Sequence, residues 1–273
     1  MQQAPIGIFD SGYGGLTVMQ EIVKKLPEYD YIYLGDNARS PYGTRSYEIV
    51  YQYTLEAVKK LANLGCKLIV LACNTASAKA LRTIQQNDLP KMQKDLRVLG
   101  VIRPTTEIIG NYSNTNHIGV FATNGTVDSN SYPIEIEKFF PDVKVFQQAC
   151  PLWVSLIENN EYKNEGSDFF IKKNIEDLML QSNKIDTVLL GCTHYPLLLN
   201  KIKKYLDPSV NIISQGEIVA NSLVNYLSRH SEIEQLCSKN KSRTFYTTDS
   251  PENFDLNASN FYNEKIRSNH LEY

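Results

Sequence analysis

Two cysteines stand in matching surroundings. Cys73 closes an apolar run in LIVLACNTASAKAL (68–81), and Cys192 does nearly the same in TVLLGCTHYPLLL (187–199). Each is followed at once by polar residues. A thiol placed where a strand passes into a helix feels the positive end of the helix dipole and free N–H groups. That setting lowers its pKa from about 8.5 and makes it a usable base near neutral pH. A lone cysteine after a strand is more often a packing residue, so it is the matched pair that points to chemistry. Facing each other across one cleft, two thiols can address opposite faces of a single carbon. One removes a proton, the other returns one from the far side, and the centre inverts. The backbone N–H groups of Asn74 and Thr75, and of Thr193 and His194, are placed to hold a carboxylate in the same cleft.

Other residues could join such a site. Asp10, with Ser11 beside it, opens the loop DSGYGG (10–15). This is not a dinucleotide fingerprint, and an aspartate there also suits a helix cap. The polar loop GDNARSPYGTRS (35–46) carries Asp36, Tyr42 and Gly43 and contains a turn at Ser40-Pro41-Tyr42-Gly43. His194 permits a different chemistry, a hydrolase in which it serves as base to a Cys192 nucleophile. That alternative gives Cys73 no role, and residues so close at a helix start need not touch. A third alternative is a binding module without catalysis. Glu158, near the end of CPLWVSLIE, reads by default as an exposed helix residue.

The elements that must position these residues alternate along the chain. Strand-like runs are IGIF (6–9), YIYL (31–34), LIVLA (68–72), VLGVI (98–102), HIGVF (117–121), VKVF (143–146), TVLL (187–190) and NIIS (211–214). Leu16, Met19, Ile22, Val23 and Leu26 share one helical face before Pro27, and Ile49, Tyr53, Ala57, Leu61 and Leu64 another before Gly65. Residues 158–168 and 231–243 are polar and read as loops, the second as a loop or frayed helix. Strands apolar on both faces and separated by helices imply an α/β protein with parallel sheets. IGIFDSGYGGLTV (6–18) is echoed by IGVFATNGTVDS (118–129), and each echo is trailed by a strand ending in cysteine. This predicts a duplicated α/β unit. Ligands of such sheets bind outside the carboxyl ends of the strands, where Asp10, Cys73, Ala122 and Cys192 fall.

Composition narrows the function classes. A net charge of −2 over 273 residues leaves no electrostatic footprint for nucleic acid. No apolar run approaches the ~20 residues of a membrane span, and the N-terminus lacks the layout of a signal peptide. Five cysteines with no CxxC spacing favour neither a disulfide framework nor a metal site, and they fit a reducing cytoplasm.

Six segments together identify a resemblance covering essentially the whole chain: GIFDSGYGGLTV, YLGDNARSPYGTRS, ACNTASA, GVFATNGTVDSNSY, GCTHYPLL and FYTTDSPENF. The sequence resembles the glutamate racemases, cofactor-independent enzymes that supply D-glutamate for bacterial peptidoglycan. The resemblance implies that Cys73 and Cys192 are the paired acid/base catalysts, assisted by Asp10 and His194. It places substrate contacts at Asp10, Ser11, Tyr42, Gly43, Asn74, Thr75, Thr193 and His194, and supporting acidic residues at Asp36 and Glu158. It implies no cofactor and no metal, L- and D-glutamate as substrates, and a homodimer. It also implies two similar domains related by a pseudo-two-fold axis with the site in the cleft between them, one domain comprising 1–96 and 209–273, the other 97–208. Aspartate racemases of the same superfamily are the nearest alternative. The chain departs from the family's usual pattern at Asn37, often Thr, and at Pro104-Thr105, often Pro-Gly. Some members carry an N-terminal extension tied to activation by UDP-N-acetylmuramoyl-alanine. Here the first strand begins within six residues of Met1, so no such control is expected.

Overall fold

The computed structural model describes residues 3–272. Strands β1 (Ile6–Asp10), β2 (Tyr31–Gly35), β3 (Leu68–Leu71) and β4 (Arg97–Gly100) lead the chain. They are followed by β5 (His117–Ala122), β6 (Lys144–Ala149), β7 (Thr187–Leu190) and β8 (Asn211–Ile213), and finally by β9 (Arg243–Thr247) and β10 (Ser268–His270). One sheet has the order β10-β9-β2-β1-β3-β4 and the other β6-β5-β7-β8. Every pairing is parallel. The block β2-β1-β3-β4 thus has the same order as β6-β5-β7-β8, which is the duplication that the echoed sequences predict.

The central strands are buried on both faces, as helix-covered parallel strands must be. Their side chains alternate between two cores. Ile6 and Ile8 of β1 and Leu68 and Val70 of β3 join one cluster, while Phe9, Ile69 and Leu71 join another. Each such side chain withdrawn from water contributes about 1.5–3 kcal/mol. The first cluster runs on into Val188 and Leu190 of the second sheet and Trp153 of helix Trp153–Glu158, so the two sheets share packed apolar contact.

Helix Gly15–Lys25 buries Leu16, Val18, Met19 and Ile22 and ends at Leu26, one residue before Pro27. Helix Tyr47–Asn63 starts at Ser46, whose hydroxyl accepts from the N–H of Ile49, and Gly65 beyond it takes φ +99°. Its buried face is Val50, Thr54, Ala57, Val58 and Leu61. Ile49, Tyr53 and Leu64, expected on that face, flank it and are half-buried.

Several boundaries differ from expectation. β4 pairs with β3 and β8 with β7, so 97–100 belongs with the first sheet and 211–213 with the second. The expected divisions at 96/97 and 208/209 lie just before β4 and β8, each of which pairs with the sheet that precedes it in the chain. Residues 101–102 are not strand, since a helix begins at Ile102. β9 and β10, unforeseen, extend the first sheet beyond β2. Within the expected polar loop, Ser231–Glu234 forms a short helix.

Candidate active site

In a sheet of this order, β1 and β3 lie side by side while their following connections leave in opposite directions. A crevice therefore opens beyond their carboxyl ends. Asp10 ends β1, and Ala72 and Cys73 continue from β3, with the N–H of Ala72 donating to the carbonyl of Phe9 at 2.8 Å. The second sheet repeats this: the N–H of Gly191 donates to the carbonyl of Phe121 at 2.8 Å, one residue before Cys192. The two cysteines occupy equivalent places, and both line a single cavity of about 70 Å³. They are 5% and 6% exposed, so each sulfur meets solvent only through that space.

Ser11, Tyr42, Gly43, Asn74, Thr75, Thr193 and His194 line the same cavity. Of the residues singled out from sequence, Asp10, Asp36 and Glu158 do not; each stands behind one that does. Asp10 is fully buried. It accepts from the N–H of Gly12 at 2.9 Å and, across to the second sheet, from the Thr193 hydroxyl at 3.4 Å. Burial pushes its carboxyl above the usual aspartate range, opposed by His194. Asp36 accepts from the Tyr42 hydroxyl, from Arg39 Nε at 2.7 Å and from the Thr248 hydroxyl at 2.8 Å, which pins the loop carrying Tyr42 and Gly43. Glu158 ends a helix and its Oε1 lies 2.9 Å from Nε2 of His194, so it is not the exposed residue its sequence suggests.

The surroundings of the two thiols differ. Cys73 caps helix Asn74–Lys79, with the N–H of Ala76 pointing at its sulfur at 3.4 Å, and it donates to the Ser11 hydroxyl at 3.5 Å. The lowered pKa expected for this thiol is not found. Burial, aided by the neighbouring charge of Asp10, pushes it up to about 12, against the smaller opposing effects of Ser11 and the Ala76 N–H. Desolvation of a thiolate outweighs one capped helical turn. Cys192 does not itself cap an α-helix: a turn follows it, then a 3₁₀ segment, Tyr195–Leu198, that runs into helix Leu199–Tyr205. Its partner is His194, whose Nδ1 lies 3.9 Å from the sulfur. Burial disfavours a charged imidazole here, but the hydrogen bonds to Cys192 and Glu158 overcome it and hold the pKa well above the usual histidine value. His194 is thus clamped between Glu158 and Cys192, whose contacts both favour its charged form.

Close approach of the two halves needs small residues. A Cβ on Gly14 would lie 2.3 Å from His194 Nδ1 and from Thr193 Oγ1, and one on Gly43 would lie 2.9 Å from Thr123 Cβ. Thr123 and Cys150 also line the cavity but were not singled out from sequence. Their signal was the duplication itself: Thr123 follows β5 as Ser11 follows β1, and Cys150 follows β6 as Asp36 follows β2. Thr123 Oγ1 lies 2.9 Å from Thr75 Oγ1, joining the two halves of the wall.

Two buried thiols thus stand at equivalent ends of two sheets and share one cavity. Residues 6–223 match the family described as Asp/Glu/Hydantoin racemase. The chain belongs to this family. It is 40% identical over 263 residues to a glutamate racemase of Listeria innocua, covering 96% of this chain and 95% of that one. The crystal structure of glutamate racemase isoform RacE1 from Bacillus anthracis superposes with a TM-score of 0.85 at 34% identity, covering 100% and 98% of the two chains. A Francisella tularensis glutamate racemase, solved in complex with D-glutamate, superposes with a TM-score of 0.88 at 32% identity, again covering 100% and 98%.

Proposed function

We propose that this chain is a glutamate racemase, interconverting L- and D-glutamate with Cys73 and Cys192 as its two acid/base groups. The observation that carries the proposal is the pair of sulfurs lining one cavity from equivalent positions of two sheets with the same strand order. The family membership and the names of its relatives supply the substrate.

Glutamate lies between the thiols with its α-carbon facing both. One cysteine, as thiolate, takes the α-proton; the other, as thiol, delivers a proton to the opposite face. The carbanion between these steps is the costly species. Water exclusion and preorganised donors around the α-carboxylate are what lower its energy. The buried hydroxyls of Ser11, Thr75 and Thr193 supply such donors, the amide of Asn74 holds the substrate equally in ground state and intermediate, and Tyr42 and Gly43 form the wall held by Asp36. Cys73, a thiol at rest, is the proton donor ready for a substrate whose α-hydrogen faces Cys192. His194, fixed by Glu158 and favoured in its charged form, hydrogen-bonds Cys192 as that sulfur exchanges its proton, with Asp10 close by. The chemistry uses side chains alone, without cofactor or metal. Five buried free cysteines and the resemblance support a cytoplasmic homodimer serving peptidoglycan synthesis.

The contact between Cys192 and His194 also favours a second reading, a cysteine hydrolase, but that leaves Cys73 without a task. The deciding experiment is incubation of pure protein with L-glutamate in D₂O without pyridoxal phosphate, with L-aspartate in parallel. Loss of optical rotation together with deuterium at the α-carbon of glutamate is expected. Unchanged, undeuterated glutamate would overturn the proposal, turnover of aspartate alone would reassign the substrate, and an acyl-enzyme in mass spectrometry would favour the hydrolase.

A further inference from the structure

Asn74 carries a buried polar atom at the cavity wall for which none of the described residues offers a partner. The residue is 2% exposed and lines the cavity, and its Nδ2 is buried without a hydrogen-bond partner. The other end of the amide is committed: Oδ1 accepts from the hydroxyl of Tyr132 at 2.6 Å. Tyr132 is fully buried in helix Ser131–Glu137, so its hydroxyl has no water to turn to. That hydroxyl in turn accepts from Nε2 of Gln215 at 2.9 Å. Gln215, 4% exposed, also reaches the carbonyl of Val101 at 3.2 Å and the hydroxyl of Thr105 at 3.0 Å.

The direction of this chain follows from what each group can do. The Val101 carbonyl can only accept, so it fixes which end of the Gln215 amide is the NH₂; that NH₂ also donates to the phenol oxygen, whose single proton goes to an acceptor, Asn74 Oδ1. A flipped Asn74 would turn its own NH₂ on the phenol and leave the phenol proton with no acceptor in a dry interior. The Asn74 amide is therefore held one way, with its donor end unpaired. The far anchors, Val101, Thr105 and Gln215, sit directly after β4 and β8, where the chain passes from one sheet to the other. Thr105 is one of the positions at which this chain departs from the usual family pattern, and its hydroxyl is one of the acceptors that fix Gln215.

We infer that Tyr132 and Gln215 are positioning residues that lock the Asn74 amide so that its NH₂ donates to a carboxylate oxygen of the substrate. The inference rests on the amino-acid substrate proposed above. Tyr132→Phe keeps the ring and removes only the hydroxyl. Because a ground-state contact is retained through the reaction, the expected result is a rise of about tenfold in KM for both L- and D-glutamate, with kcat changed by less than about threefold. In an Asn74→Ala background the same substitution should change KM no further, since the group it orients is gone. A Tyr132 that serves packing alone would add its effect in both backgrounds, and that additivity would overturn the inference. So would a KM within about twofold of wild type for Tyr132→Phe.

A readout without substrate separates this inference from the choice of substrate. The ¹⁵N-labelled side-chain NH₂ of Asn74 in the ligand-free protein should shift and exchange faster in Tyr132→Phe. An unchanged resonance overturns the inference even if glutamate proves not to be the substrate. Gln215→Met, which keeps length and removes the donor, is the second variant should Tyr132→Phe fold poorly, with the same NMR outcome expected and the same null result refuting it.

Discussion

Alanine at Gly14 tests how closely the two halves of the site must meet. Gly14 has φ −56° and ψ −39°, at the start of helix Gly15–Lys25. Alanine adopts this conformation without strain, and by restricting the unfolded chain it would ordinarily stabilise the fold by about 0.4–1 kcal/mol. The backbone therefore gives no reason for glycine. The reason is across the cleft, where a Cβ would come within 2.3 Å of His194 Nδ1 and Thr193 Oγ1. Comfortable contact needs about 3.5 Å, so the loop carrying Cys192, Thr193 and His194 must retreat by about 1 Å. Its side chains are buried and doubly tied, His194 to Glu158 and Thr193 to Asp10, so the retreat cannot be absorbed by one flexible tip.

A misplacement of about 1 Å at reacting groups costs on the order of 10²-fold in rate, or about 2.7 kcal/mol in the barrier. Gly14→Ala should accordingly lower kcat for L-glutamate by roughly a hundredfold, followed by circular dichroism. Gly166→Ala is the control, because a Cβ there meets nothing within 4 Å; its activity should match wild type. A Gly14→Ala enzyme within about threefold of wild type would refute the claim that the two loops are in obligatory contact.

Cys73→Ala and Cys192→Ala should each lower racemisation by roughly a thousandfold or more, as removal of an acid/base group does; interconversion at the wild-type rate by either would refute two-base chemistry. His194 has its pKa raised in the folded protein, so its contribution to stability is fully present below the unfolded value of about 6.5 and is lost as pH rises through the folded value. Glu158→Gln removes one of the bonds that raise it, and a ¹⁵N titration of the ring should then show the pKa of His194 fall; an unmoved titration would refute the clamp. Asp36→Asn replaces an acceptor of three hydrogen bonds with a group that must turn a donor toward one of them. It should cost about 1–3 kcal/mol in urea denaturation and raise KM through the Tyr42 loop, whereas full stability and unchanged KM would show that the loop is held otherwise.

Much of this was legible in the sequence because it depends on local patterns. Strands β1, β3, β5 and β7 have apolar interiors, and the polar residues that follow at their carboxyl ends mark where the site must be. What was not legible depends on relations between distant segments. β10, SNH, carries no strand signature and forms only because β9 offers a parallel edge. The environment of Glu158 is set by His194, which reaches it from the other end of the second domain's sequence. The sign of the shift at Cys73 was misjudged because a helix N-terminus is visible in the sequence, while the burial that outweighs it is a property of the assembled cavity.

The duplication explains why two thiols exist; it does not make them alike. Cys73 is flanked by a serine hydroxyl and a helical N–H near Asp10, and Cys192 by the imidazole of His194 backed by Glu158. A racemase has an equilibrium constant of unity, so kcat/KM must be equal in the two directions at every pH, whatever the two thiols prefer. The asymmetry of the site can therefore appear only in kcat and KM separately. The direction that begins with Cys73 as base must first remove a proton from a thiol whose pKa is pushed up to about 12, whereas the opposite direction finds that proton already in place. In the proposed two-base mechanism the unlike surroundings of the two thiols act on how tightly each enantiomer is held and how fast it turns over, while thermodynamics keeps the overall efficiency common to both.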